Sequence, residues 1–163
     1  MSEELNYPEN FSREELLRSE TALRHNIVNE PHSPEHEANL HSVACFLQCL
    51  RDALSEHYGR DVPISVSSGY RSEALNTLVR GSKRSAHSHG LAADFRAFTV
   101  SVEDVFNFIR EHESLSQMVD QVIDEYGHWV HVGIRQPKTN KQRGEFLLAR
   151  KQGGRTVYTP YKA

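Results

Sequence analysis

The chain has 163 residues, 37% hydrophobic and 25% charged, an ordinary globular balance at a length that one domain accounts for. Its formal net charge of -3 excludes the broadly basic surface that nucleic-acid binding needs. No apolar run follows Met1-Ser2-Glu3-Glu4, so neither a secretory leader nor a membrane span is expected at that end, and the expectation is a monomer that accumulates in the cytoplasm without stable membrane association.

Ser12 followed by Glu15 is a capping-box pattern that opens a short helix. Ser33-Pro34 places a capping hydroxyl and a proline at the head of a second helix. Leu40, Val43, Ala44, Leu47, Leu50 and Leu54 recur at threes and fours, which predicts a long amphipathic helix ending near Gly59. Pro63 to Ser67 reads as a strand, Ser72 to Val79 as a helix and Ala92 to Ala97 as another strand. Ser101 with Asp104 caps a helix whose apolar side carries Val102, Val105, Phe106 and Ile109. Gln121 to Tyr126, Trp129 to Ile134, Phe146 to Arg150 and Thr156 to Tyr158 are strands, with Gly153-Gly154 as a turn. The polar stretch Gln136 to Arg143 reads as an exposed loop at the rim of a cleft. Strands grouped late in the chain predict an α+β fold with a small antiparallel sheet packed against helices. No repeat, long linker or low-complexity segment divides the chain.

Cys45 and Cys49 stand one helical turn apart, a poor geometry for a disulfide, and read as reduced core thiols. The cluster Arg80 to Arg84 reads as a solvated loop that would also draw an anionic polymer.

His87 and Asp94 lie in Ser85-Ala86-His87-Ser88-His89-Gly90-Leu91-Ala92-Ala93-Asp94, and His128-Trp129-Val130-His131 follows near the end of the core. Gly90 lets the chain turn sharply, so a loop histidine and a strand carboxylate can converge on one ion. In the second cluster the period of two sets Trp129, His131 and Gly133 on one face, so only one of the two histidines faces such a site. Two imidazoles and one carboxylate leave a tetrahedral Zn2+ with its fourth position open, the mark of a catalytic rather than a structural zinc. Hydrolysis is the chemistry this predicts. His89 pairs with His87 in a His-x-His pattern but reads as a loop or supporting residue.

These residues resemble the zinc D-alanyl-D-alanine peptidases of the M15 type and the related phage endolysins. The pattern Ser-x-His-x-x-Gly-x-Ala-x-Asp is met at Ser85, His87, Gly90, Ala92 and Asp94, and a Trp-x-His element at Trp129 and His131. Ser68-Gly69-Tyr70-Arg71-Ser72 with Asn76 resembles the segment that carries a substrate-binding arginine, and Phe11-Ser12-Arg13-Glu14-Glu15-Leu16 the entry helix of phage-type members. The resemblance implies one zinc peptidase domain over residues 1–163, with an entry segment over 1–32 and a catalytic core over 33–163. It implies Zn2+ on His87, Asp94 and His131, substrate contacts at Arg71 and Ser85, and peptidoglycan stem peptides as the partner. With no leader expected, such an enzyme would reach the wall through a separate pore or as part of a virion.

A zinc peptidase also needs a group that takes the proton of the attacking water and passes it to the leaving amine. Glu125, six residues before His131, and His128, three before it, are the candidates. Glu125 is favoured because it shares the parity of His131 along a continuous strand; were Gly127 to break that parity, Asp124 would take its place. Where several family members carry an acidic residue this chain has His128, and that replacement leaves a non-catalytic zinc-binding virion module as the alternative of another class. Within enzymes the alternative is a D-alanyl-D-alanine carboxypeptidase or dipeptidase.

Overall fold

The computed structural model describes residues 4–140 and 142–162. Residues 1–3, part of the stretch read above for a leader, and Lys141, within the polar loop, lie outside the described residues, as does Ala163.

Serine hydroxyls open five of the helices, each accepting a backbone N–H that the first helical turn leaves without a partner. Ser12 does so for α1 (Arg13–Leu17), Ser19 for α2 (Glu20–Arg24) and Ser33 for α3 (Pro34–Tyr58). Ser72 caps α4 (Glu73–Leu78) and Ser101 caps α5 (Val102–Glu111). The ring of His112 takes that role for α6 (Glu113–Met118), accepting the Leu115 N–H at 3.3 Å. The helix α3 starts on the expected proline and stops at Gly59, whose left-handed backbone (φ 64°) turns the chain away. Its leucine stripe is fully buried, and each such large side chain contributes about 1.5–3 kcal/mol by leaving water. Cys45 is half-buried and Cys49 exposed, so they are not the core thiols expected. At 100° per residue both point away from the stripe. Helices α2 and α6 were not expected, because five or six residues carry too little periodicity to register.

Six strands form one mixed sheet in the order β1-β2-β4-β3-β5-β6. They are β1 (Ile64–Ser68), β2 (Ala92–Ala97), β3 (Val119–Glu125), β4 (Trp129–Ile134), β5 (Glu145–Gln152) and β6 (Arg155–Pro160). The fold is α+β, with helices packed against the sheet. The pairing departs from the antiparallel expectation at one seam, since β5 runs parallel to β3. The reason is topological: β4 already occupies one edge of β3, and the end of β4 lies beside the start of β3. The polar loop therefore delivers β5 to the free edge of β3 at that same end. Asp120 holds it there, accepting from the backbone and guanidinium of Arg143 at 2.6–3.0 Å.

Ala93, Phe95, Val122, Val130 and Val132 on one face of the sheet join the core with α3 and α5. The alternation of β structure then sends Asp94, His131, Trp129 and Glu125 to the opposite face.

Candidate metal centre

The site begins with a close approach of two backbones. Tyr70 N–H donates to the carbonyl of Leu16 in α1 at 2.9 Å, and a Cβ on residue 69 would lie 2.2 Å from that oxygen, so only glycine fits. The Gly69 carbonyl in turn accepts a hydrogen bond from His87 Nδ1 at 2.7 Å. A carbonyl can only accept, so Nδ1 carries a proton and Nε2 is the nitrogen left to face an ion. His87 sits in a 3₁₀ turn over Ala86–His89 that closes on Gly90 (φ 74°), where a side chain would meet the His36 carbonyl at 2.6 Å. Asn39 of α3 donates to the His89 carbonyl at 2.9 Å. His87 is thus buried and held by α1, α3 and its own turn.

Asp94 and His131 are direct partners across β2 and β4, so their side chains share one face. His131 Nδ1 stands 2.8 Å from Asp94 Oδ1, and His87 Nε2 stands 3.3 Å from the same oxygen. One ligand atom from each of the three lies within 4.8 Å of the others. Bond lengths of about 2.0–2.2 Å at tetrahedral angles separate ligand atoms by roughly 3.3–3.5 Å. The three therefore fit around one ion with little rearrangement, and a position is left for substrate or water. Burial alone would push the Asp94 carboxyl pKa up, but the charges and hydrogen bonds of His87 and His131 outweigh it and hold it well below the usual carboxylate range. Asp94 is consequently ionised, the form that binds a metal.

Arg71 is fastened to the same group. Its N–H donates to the His87 carbonyl at 3.1 Å and its Nε to Ser68 Oγ at 3.3 Å, while Nη2 lies 3.7 Å from Asp94 Oδ2. With a side chain only 20% exposed it is no solvated turn residue. Burial lowers its pKa and Asp94 counters that, and a guanidinium keeps its charge in such a setting. Ser85 immediately precedes the His87 turn, half-buried, and its hydroxyl makes no capping bond. Its carbonyl accepts from exposed His89, so His89 supports the turn. Asn76 is buried and donates to the Ser82 carbonyl at 2.9 Å, tying the basic loop to α4.

The three candidates for the proton-transferring group separate by face. Glu125 pairs directly with Trp129 across the β3–β4 hairpin, so it stands on the His131 face although the strand is interrupted by Tyr126 and Gly127, both at positive φ. Burial raises its pKa, His131 lowers it, and Asp94 and Asp124 raise it further. Asp124 points into the opposite layer, where it accepts from the Gly127 N–H at 2.8 Å and pairs with Arg150 at 3.0 Å. It holds the hairpin. His128 is exposed in the turn itself, its N–H donating to the Glu125 carbonyl at 2.9 Å, and the fold does not bring it to the ligand group.

One neighbour escaped the sequence reading. Trp129, Glu125, Ala149 and Tyr158 form a single row across β4, β3, β5 and β6. Tyr158, whose pKa is raised by burial and then by Glu125, Tyr126 and Asp94, flanks Glu125 across the small Ala149. No sequence spacing links β6 to the histidines; only strand register does.

The chain matches the family Peptidase M15 over residues 9–144. That span holds Arg71, Ser85, His87, Asp94, Glu125 and His131 and stops before β5 and β6. No curated protein matches the chain.

Proposed function

The chain belongs to the peptidase M15 family, and on that premise we propose that it is a zinc-dependent endopeptidase of the endolysin type that hydrolyses stem peptides or cross-links of bacterial peptidoglycan, at an L,D or a D,D bond. M15 peptidases are metal-dependent, and His87, Asp94 and His131 form a group able to hold the ion. The observation that carries the proposal is the company this group keeps: a carboxylate, Glu125, on its face of the sheet and a guanidinium, Arg71, against Asp94.

When bound, Zn2+ supplies a Lewis acid that polarises the scissile carbonyl and makes water a nucleophile near neutral pH. Glu125 accepts the proton of the attacking water and returns it to the leaving amine. Its raised pKa brings it closer to the operating pH, which suits both halves of that task. Arg71 pairs with a carboxylate of the stem peptide and fixes the bond in place by a charge-assisted contact. The Ser85 hydroxyl, unused in capping, bonds the peptide backbone. His87, Asp94 and His131 are oriented before any ligand arrives, because the Gly69 carbonyl and the β2–β4 register hold them.

Among the described residues no helix is long and apolar enough to cross a membrane. In the proposed setting the protein works as a monomer on the wall, after release through a separate pore or as part of a virion, and takes no nucleic acid. Digestion of sacculi of several chemotypes, with mass spectrometry of the muropeptides, tests the proposal. New amine and carboxyl ends should appear, vanish with a chelator and return with zinc; one equivalent of bound zinc with no new ends from any sacculus would leave a zinc-binding module instead. The Arg71–Asp94 contact also suits a terminal carboxylate beside the ion, and release of free D-alanine without cross-link cleavage would make the enzyme a carboxypeptidase or dipeptidase.

A further inference from the structure

A cleft of about 660 Å3 has Arg71 in its lining and none of His87, Asp94 and His131. One wall is the turn from α1 into α2, with Arg18, Glu20 and, at the end of α2, Arg24; the other is Ser67 and Ser68 of β1. Arg71 belongs to both places, since it lines the cleft while its Nη2 stands 3.7 Å from Asp94. Arg71 is therefore the residue the two places share.

The lining is basic in a chain whose net charge is -3: three arginines against Glu20. Arg18 and Arg24 are exposed and enter none of the ion pairs formed among the described residues. Glu15 of α1 acts on Arg18, yet arginines outnumber acidic residues in the lining three to one, a balance that attracts an anion. That second wall is an edge strand, because β1 is the terminal strand of the sheet. α1 meets that edge at its downstream end, where the Tyr70 N–H bonds the Leu16 carbonyl, and Ser67 and Ser68 line the cleft beside that contact. An extended chain is the shape that lies along a strand edge.

We propose that this cleft is a substrate subsite for an extended, carboxylate-bearing peptide segment remote from the scissile bond, with Arg18 and Arg24 as the residues that select for the acid over its amide. The inference rests on the peptidase reading of the site. Arg71 then takes the substrate group nearest the ion, and Arg18 and Arg24 take a second carboxylate further along the same peptide.

The test uses the full chain and two purified muropeptides that differ only in whether the α-carboxyl of the stem glutamate is free or amidated. Dissociation constants are measured by calorimetry for the wild type, for Arg18→Gln/Arg24→Gln and for Arg18→Lys/Arg24→Lys, with thermal unfolding confirming that each variant is folded. The free acid should bind the wild type roughly three- to tenfold more tightly than the amide, the scale of two solvent-accessible charge contacts. The glutamine pair should bring that ratio close to one, and the lysine pair should keep part of it. Raising ionic strength from about 0.1 M to 1 M, which shortens the screening length from about 10 Å to 3 Å, should shrink the wild-type ratio as well. Equal binding of acid and amide by the wild type, or a ratio that survives in the glutamine pair, overturns the inference even if sacculi are cleaved. A ratio that behaves as expected with no cleavage of any sacculus leaves the subsite standing and removes the peptidoglycan hydrolase reading.

Discussion

Replacing Gly69 by alanine should damage the metal centre without touching a ligand. The new Cβ would lie 2.2 Å from the Leu16 carbonyl oxygen and 3.0 Å from its carbon, both backbone atoms that cannot rotate aside. Opening the first distance to even 3.0 Å needs about 0.8 Å of main-chain movement, in a layer where Tyr70 N–H bonds that same oxygen at 2.9 Å and Gly69 O receives His87 Nδ1 at 2.7 Å. Overpacking of this kind costs about 1–3 kcal/mol, so the metal-free protein should melt roughly 2–12 °C lower, at about 2–4 °C per kcal/mol for a domain of this size. The lost bond to Nδ1 should also weaken zinc binding by about 10–100-fold. Thermal unfolding of the metal-free form measures the first effect, and competition with a chromophoric chelator the second. Glycine-to-alanine changes at unstrained positions usually stabilise by about 0.4–1 kcal/mol, so the signs are opposite. A variant that melts at or above the wild type with unaltered zinc affinity would show that the Leu16 contact does not position His87.

His87→Ala, Asp94→Ala and His131→Ala should each lose stoichiometric zinc and with it activity, read by metal analysis; full zinc in His131→Ala with loss in His128→Ala would move the ligand to the turn. Arg71→Ala should keep its zinc, while kcat/KM on wall substrate drops by the equivalent of about 2–4 kcal/mol, and unchanged kinetics would remove it from the substrate site. Glu125→Gln should retain metal and substrate binding while kcat falls by roughly two to four decades, whereas His128→Gln should stay near wild type; the reverse ranking would give the proton transfer to the histidine. Because Glu125 works as a base it must be ionised, so activity should fall with decreasing pH along a limb that belongs to Glu125, whose pKa burial raises in the metal-free chain and bound Zn2+ would lower. That limb should be missing from the residual activity of Glu125→Gln, and a limb unaffected by the substitution would belong to another group.

Local chemistry was readable along the chain. Ser12, Ser33 and Ser101 cap helices where a hydroxyl precedes an apolar period, and the leucines of α3 line up because a helix repeats every 3.6 residues wherever it occurs. His87, Gly90 and Asp94 were legible for the same reason, since a turn and a strand start are short-range events. What only tertiary structure decided was which strands are neighbours and which distant backbones touch. The period of two that set Trp129, His131 and Gly133 on one face is blind to partners, so it could not foresee that β5 joins β3 in parallel or that Tyr158 comes to rest beside Glu125. Nor could parity along the chain say whether Glu125 keeps the His131 face across a hairpin with two positive-φ residues; its pairing with Trp129 puts it there. Arg71 became part of the site, and Arg18 and Arg24 its neighbours, through the packing of α1 on Gly69. That contact is a matter of 2.9 Å between segments more than fifty residues apart, a distance that hydrophobic periodicity does not encode because it depends on where whole elements come to rest.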